Sequence, residues 1–191
     1  VVGGGAAGLS AVVWLRSLDV EPLWFVGGEG VGGMLRRVNN PIANYPPGRW
    51  ENGAELADEL AAEARGYAPV EESVSAVEYD DGQFVLVHGA GQHRCDAVIL
   101  ATGTRYRTLG VPGEREGLGR WVSQSAAHDA PRFAGGEVLV VGGGDAAFEN
   151  AIRLSAVDAA VTMAIRSPEF RARHNYVDRV QADPDIAILP I

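Results

Sequence analysis

The sequence predicts an α/β protein with a doubly wound parallel sheet and two dinucleotide-binding units in one chain. Three observations carry this reading. Four apolar residues, Val138 to Val141, run into Gly142-Gly143-Gly144 and then into a helix-compatible stretch from Asp145 to Ala151, which is the order strand, tight turn, helix. Gly142, Gly144 and Ala147 fill the pattern G-x-G-x-x-A across that turn. Gly3, Gly5 and Gly8 fill G-x-G-x-x-G at the front of the chain. In this fingerprint the first glycine permits the turn and the second lets the backbone approach a pyrophosphate. The small third residue lets the helix pack close on the strand. The helix N-terminus then offers unpaired N–H groups and the positive end of its dipole to the phosphates. Two fingerprints imply two nucleotides, and hence electron transfer between them.

Composition narrows the field. The 191 residues suffice for one large or two small domains, and the 25 glycines gather in turns. A net charge of −9 with no basic run argues against a nucleic-acid partner, because binding phosphates needs a positive face. A single cysteine, Cys95, excludes both an internal disulfide and a C-x-x-C pair. With no sign of secretion, a reducing cytoplasm is the default expectation. The apolar front, residues 1–15, is short for a membrane span, lacks a basic flank and is broken by four glycines. It reads as the first nucleotide turn, with no membrane role. Only Val1 and Val2 precede that turn, so the chain is expected to begin inside its first strand.

In order, residues 6–18 read as the helix after the first fingerprint and residues 22–26 as the next strand. A dinucleotide site usually ends that strand in an acid for the ribose hydroxyls. Here Val26 and Gly27 hold the place, and Glu29 beyond them reads either as a substitute or as a solvated loop residue. Residues 27–33, GGEGVGG, form a glycine-rich loop suited to backbone contact with a cofactor. Asn52 with Glu55 three residues on resembles a capping box, opening a helix whose Leu56, Leu60 and Ala64 form an apolar stripe. Two strands, residues 73–79 and 84–88, flank the hairpin signal Asp80-Asp81-Gly82. A turn at Gly89-Ala90-Gly91 leads to a strand over residues 95–101, with Cys95 at its entry as a small buried hydrophobe. His88 and His93 lack metal-ligand company and read as surface residues, and no metal site is expected. After the second fingerprint, a helix to about Ser155 and a strand over residues 160–165 lead to Arg166. At that strand end an arginine suits a nucleotide 2′-phosphate.

These motifs, in this order, resemble the low-molecular-weight thioredoxin reductases among the two-dinucleotide flavoprotein reductases. Residues 1–8, VVGGGAAG, look like the FAD pyrophosphate turn of that family. Gly32-Gly33-Met34-Leu35 is similar to its GGQL, and Asn44-Tyr45-Pro46 to its N-aromatic-P loop. Ala101-Thr102-Gly103, with Val111-Pro112-Gly113-Glu114, looks like its ATG…PGE passage. Gly142 to Asp145, with Glu149 behind, resembles GGGDSAVEE. Arg166 and Phe170-Arg171-Ala172 resemble HRRDxFRA, whose arginines hold the 2′-phosphate. The resemblance implies the first half of an FAD domain over residues 1–109 and an NAD(P)H domain over residues 110–191, without the family's closing FAD segment. It implies FAD and NADPH as cofactors.

Two departures bear on function. Where the family reads VSxCATCDG, this chain reads Val122-Ser123-Gln124-Ser125-Ala126-Ala127-His128-Asp129-Ala130. Ser125 and His128 stand at the two cysteine positions, while Asp129 matches the acid that serves proton transfer. In HRRD, Ile165 and Ser167 replace His and the second Arg. The expected activity is therefore hydride transfer from NAD(P)H to FAD, then to an acceptor other than a dithiol: ferredoxin, a quinone or a small molecule. Asp129 and His128 are the expected proton-handling pair; a homodimer is compatible with the sequence, which does not fix the oligomeric state. The alternative is a nucleotide-binding or sensing protein without turnover.

Overall fold

A computed structural model describes residues 1–45, 48–167 and 169–191. The chain forms two compact units, Val1–Arg105 and Tyr106–Ile191. The division lies four residues ahead of the one expected between residues 109 and 110.

In the first unit, four short parallel segments meet through single bridges: Val70 to Phe25, Phe25 to Val2, and Val2 to Leu100. The order in space is third, second, first, fourth, which is the order of a dinucleotide-binding half. The hydrogen bonds are well formed, with Val2 N–H donating to Ile99 O at 2.9 Å and Val26 N–H to Val70 O at 2.9 Å. The expected strands at residues 22–26 and 95–101 thus pair only around Phe25 and Leu100. Helix α1 (Ala6–Ser17) buries Leu9 and Val12 against Trp24, Val26 and Ala64. A 3-10 helix (Gly33–Arg37) precedes α2 (Gly53–Glu63). The expected cap is present: Asn52 Oδ1 accepts from Glu55 N–H at 3.0 Å. Glu55 Oε2 accepts from Glu51 N–H at 2.8 Å, one residue earlier than in the usual reciprocal box.

An antiparallel sheet comes next, made of β1 (Val74–Asp80), β2 (Gln83–His88) and β3 (Gly91–Cys95). Asp81 and Gly82 both have positive φ, 47° and 79°, as the two-residue hairpin turn requires. Strand β3, GQHRC, is not foreshadowed by the sequence. Its polar residues face water at the sheet edge, so neither alternation nor an apolar run marks it. Cys95 closes this strand, packed half-buried against the cluster of Val2, Phe25 and Leu86.

The second unit is a βαβαβ half. A parallel sheet runs β4 (Glu137–Val141), β5 (Ala160–Ile165), β6 (Ile186–Pro190), with α5 (Asp145–Ser155) and α6 (His174–Ala182) as crossovers. Phe148, Ala151 and Leu154 on α5 share one core with Val161 and Met163 of β5, and Val180 of α6 joins it. Two short helices, α3 (Glu114–Gly117) and α4 (Ala126–Asp129), precede the sheet. Both Glu114 carboxylate oxygens accept backbone N–H groups, from Leu109 and Gly110, each at 2.8 Å. The Val-Pro-Gly-Glu stretch is thereby a clamped turn.

Candidate functional site

Each unit carries one fingerprint turn at the C-terminal end of a parallel strand, where open α/β sheets bind ligands. In the first, Gly3 has φ +123°, and a Cβ there would lie 2.1 Å from Ala101 O. A Cβ on Gly8 would lie 2.0 Å from Gly3 O, so only glycine lets α1 sit this close to the strand. Gly5 has nothing within 4 Å of a would-be Cβ. It is the N-cap of a 12-residue helix that has no side-chain cap, so no capping side chain takes up the N–H groups of the first turn.

Other residues of the first unit gather at this turn. Gly32 N–H donates to Gly4 O at 2.8 Å, and a Cβ on Gly33 would stand 3.2 Å from Gly5 Cα. The glycine-rich loop is therefore seated on the fingerprint. Ala101 N–H donates to Val2 O at 2.8 Å, and Thr102 N also borders Gly3. Gly103 comes next with φ +70°. Leu35 lies in the 3-10 helix, and its carbonyl abuts Gly53. Asn44 is exposed, and Pro46 of its motif lies outside the described residues. Glu29 is ion-paired with Arg37 at 2.5 Å, which suits a solvated loop residue better than a ribose acceptor.

The second fingerprint repeats the logic. Gly142 has φ +137°, and its Cβ would meet the Ala147 methyl at 3.2 Å, a close fit that a larger third residue would not permit. Gly144 caps the 11-residue α5 with no side-chain bond and open space around it. Asp145 is engaged by Arg173. Its Oδ1 accepts from Arg173 N–H at 2.7 Å and its Oδ2 pairs with Arg173 Nε at 2.8 Å. Arg171 N–H donates to Gly143 O at 2.9 Å. These bonds pin residues 171–173 beside the turn and bring Arg171 there. Arg166 directly follows β5, the strand paired with β4. Glu149 is held by Arg153 at 3.1 Å.

A polar cluster around α4 completes the second unit. Ser123 Oγ donates to Asp129 Oδ2 at 2.6 Å and accepts from Ser125 N–H at 3.0 Å. His128 Nδ1 lies 2.8 Å from Asp129 Oδ1, and Arg132 pairs with the same oxygen at 3.4 Å. The Ser123 bond, foremost, holds the Asp129 carboxyl below the usual carboxylate range; burial opposes this, and the His128 bond and the Arg132 charge add to it. Asp129 is therefore an anion near neutral pH. With Asp129 ionised, Nδ1 of the two-thirds exposed His128 ring is the donor in their bond. The sequence marks Ser123 only as part of the Val122 to Ala130 stretch and gives Arg132 no role here; Asn150, whose Oδ1 accepts from Ala126 N–H at 3.0 Å, follows Glu149 in the second motif without one.

His88 and His93 do not both match the surface reading. His88 is buried, packed near Phe25 and bonded through Nε2 to His93 Nδ1 at 2.8 Å. His93 itself is exposed. Among the described residues no cluster of three or more His, Cys, Asp or Glu could hold a metal ion. No described helix is long and apolar enough to cross a membrane.

The family model for pyridine nucleotide-disulphide oxidoreductases matches residues 1–183. The chain belongs to that family. Within it the chain is similar to thioredoxin reductases. It is 35% identical to that of Treponema pallidum over 191 residues, covering 98% of this chain and 62% of the relative. It is also 35% identical to that of Mycolicibacterium smegmatis over 192 residues, covering 99% and 61%. Among solved structures it is similar to Lactococcus lactis thioredoxin reductase, with TM-score 0.77 and 28% identity over 99% of this chain and 62% of that one. The T. acidophilum thioredoxin reductase gives TM-score 0.73 at 27% identity, over 99% and 62%. The chain thus spans about three fifths of the length of these oxidoreductases. The doubly wound α/β fold read from the two fingerprints is the fold of this family.

Proposed function

We propose that the protein is an NAD(P)H-dependent flavoprotein oxidoreductase that passes electrons to an acceptor without a dithiol of its own. The observation that carries this is the pair of fingerprint turns. Each has an open second glycine beneath an uncapped helix of eleven or twelve residues. Such a cradle fits a pyrophosphate and would be filled by any side chain. By likeness to the family, Gly3, Gly5, Gly8, Gly32, Gly33 and Thr102 would hold FAD. Gly142, Gly144 and Ala147 would hold NADPH, with Arg166 and Arg171 on its 2′-phosphate.

A bound flavin would supply the redox chemistry, hydride acceptance and electron release, at the site that Gly3, Gly5, Gly8, Gly32, Gly33 and Thr102 would form. The chain's own residues bind, orient and manage protons. Asp129, fixed as a carboxylate, orients His128, and the other ring nitrogen, Nε2, gives or takes the proton. A fixed proton donor serves an organic acceptor such as a quinone, whose reduction consumes protons. A one-electron iron–sulfur acceptor needs none. Among ferredoxin, a quinone and other small molecules, the pair therefore favours the proton-consuming acceptors.

The test is anaerobic titration of the FAD-reconstituted protein with NADPH. Bleaching of the flavin band supports the enzyme. An oxidised spectrum that persists while NADPH binds supports the nucleotide-sensing alternative.

A further inference from the structure

We propose that Asn150, on the nucleotide-binding helix α5, is a positioning residue that sets the geometry of the His128–Asp129 pair by capping helix α4 from outside. The proposal rests on reading that pair as the proton-handling site. Helix α4 has four residues, too few to be stable alone, because a single turn fixes several dihedrals for one hydrogen bond. Its N-cap, Ser125, makes no side-chain cap bond. Its first residue, Ala126, is buried in the core with Phe148 and Ala151 of α5, so water has little access to its N–H. That N–H donates to Asn150 Oδ1 at 3.0 Å. The bond spans 24 residues and supplies the cap that the local sequence lacks.

The rest of α4 depends on this anchor. Asp129 N–H donates to Ser125 O at 3.1 Å, closing the one turn that brings Asp129 back toward Ser123. The carboxylate is then in place to accept from His128 Nδ1. Asn150 bonds to neither the imidazole nor the carboxylate. It acts through the helix, from a rigid element whose N-terminus is the second fingerprint turn.

The measurement is the tautomer of neutral His128, read from its ring 15N shifts in the intact chain without nucleotide. The wild type is expected to carry the proton on Nδ1. In Asn150→Ala the Nδ1–H population should fall by half or more, while the amide spectrum of β4, β5 and β6 stays unchanged. Asn150→Asp keeps the acceptor oxygen and should restore the Nδ1–H form. If the alanine variant does not fold, the near-isosteric Asn150→Leu carries the same comparison. Wild-type tautomer balance in Ala or Leu would overturn the proposal, as would failure of Asp to restore it. Loss of NADPH binding or of flavin bleaching in the wild type would count against the proposed function alone, because the tautomer is read without either cofactor.

Discussion

His88 Nδ1 lies 2.6 Å from Glu72 Oε2, which joins the loop ahead of β1 to the last residue of β2. The same oxygen accepts from Ala90 N–H at 2.9 Å, and the other ring nitrogen of His88 reaches His93 on β3. These bonds tie the antiparallel sheet together beside Phe25, a buried residue of the first unit's parallel segments. The His88 bond, foremost, and then the Ala90 bond lower the Glu72 pKa. A depressed carboxylate stabilises the fold above its unfolded-state pKa and loses that contribution as pH falls through the folded value. Stability should therefore drop on acidification from about pH 6 to about pH 3 more steeply in the wild type than in Glu72→Gln, which keeps an acceptor but does not titrate. Thermal unfolding followed by circular dichroism at several pH values checks this. Parallel curves for the two proteins would show that Glu72 contributes no pH dependence.

The cap of α2 gives a prediction free of any cofactor. Asn52 Oδ1 accepts from Glu55 N–H, and Asn52 has the extended backbone of an N-cap, with φ −159°. Asn52→Ala should cost about 1 kcal/mol in urea unfolding, and Asn52→Ser should recover most of it. An alanine variant as stable as the wild type would mean that water replaces the cap.

The fingerprint glycines divide into two kinds, and substitution should separate them. A methyl on Gly8 would press on the Gly3 carbonyl, whereas one on Gly144 meets nothing within 4 Å. Gly8→Ala should lower stability by about 1–3 kcal/mol or prevent folding, as overpacking against backbone does. Gly144→Ala should still fold, with at most the modest loss that alanine causes at an N-cap, yet bind NADPH poorly, because its methyl would fill the space proposed for a pyrophosphate. Unchanged NADPH affinity in Gly144→Ala would place the nucleotide elsewhere.

Cofactor preference tests Arg166. It stands at the end of β5, in the place where NAD-binding chains carry an acid, and Arg171 is brought to the adjacent turn by its backbone bond to Gly143. Charge-assisted bonds from a guanidinium to a phosphate are worth about 1.5–3 kcal/mol each. Arg166→Ala should weaken NADPH binding roughly tenfold or more while NADH binding barely changes. Equal losses for both nucleotides in calorimetric titration would remove Arg166 from the 2′-phosphate site.

The range of each interaction decides whether the sequence makes it legible. Gly3 and Gly142 are required by their positive φ and Gly8 by the nearby Gly3 carbonyl, so their spacing announces the turns. The Asn52 cap and the Asp81-Gly82 turn are equally local. His88 defies the surface reading because its burial is set by Glu72, 16 residues away, and by Phe25 on another segment. Asn150 follows Glu149 on α5 and Asp145 belongs to the GGGD motif, but neither position announces the bond it makes. Their partners, Ala126 and Arg173, lie 24 and 28 residues away, and no periodicity encodes such a bond.

The last prediction concerns disulfide chemistry. Electron relay through a protein dithiol needs two sulfurs that can form, exchange and re-form a bond. The positions that resemble the family's two cysteines hold Ser125 and His128 here, and Cys95 lies in the other unit with no second thiol in the chain. A serine hydroxyl is neither acidic nor redox-active near neutral pH. The protein with FAD and NADPH should therefore produce no thiols from a disulfide substrate, and Cys95→Ser should change nothing. The backbone nevertheless keeps the frame. Ser125 is the N-cap of α4, and His128 N–H returns to Ser125 O at 3.3 Å, so the two side chains spring from one turn. Residues three apart on a turn have Cβ atoms about 5–6 Å apart, close enough for a small adjustment to bring two sulfurs together. The combined Ser125→Cys and His128→Cys substitutions, made in a Cys95→Ser background, should form an intramolecular disulfide. Counting free thiols before and after reduction measures it. Two free thiols persisting under oxidising conditions would mean that α4 does not hold the two positions together. Sustained thiol production by the unsubstituted protein would mean that electrons reach disulfides by a route that uses none of its own cysteines.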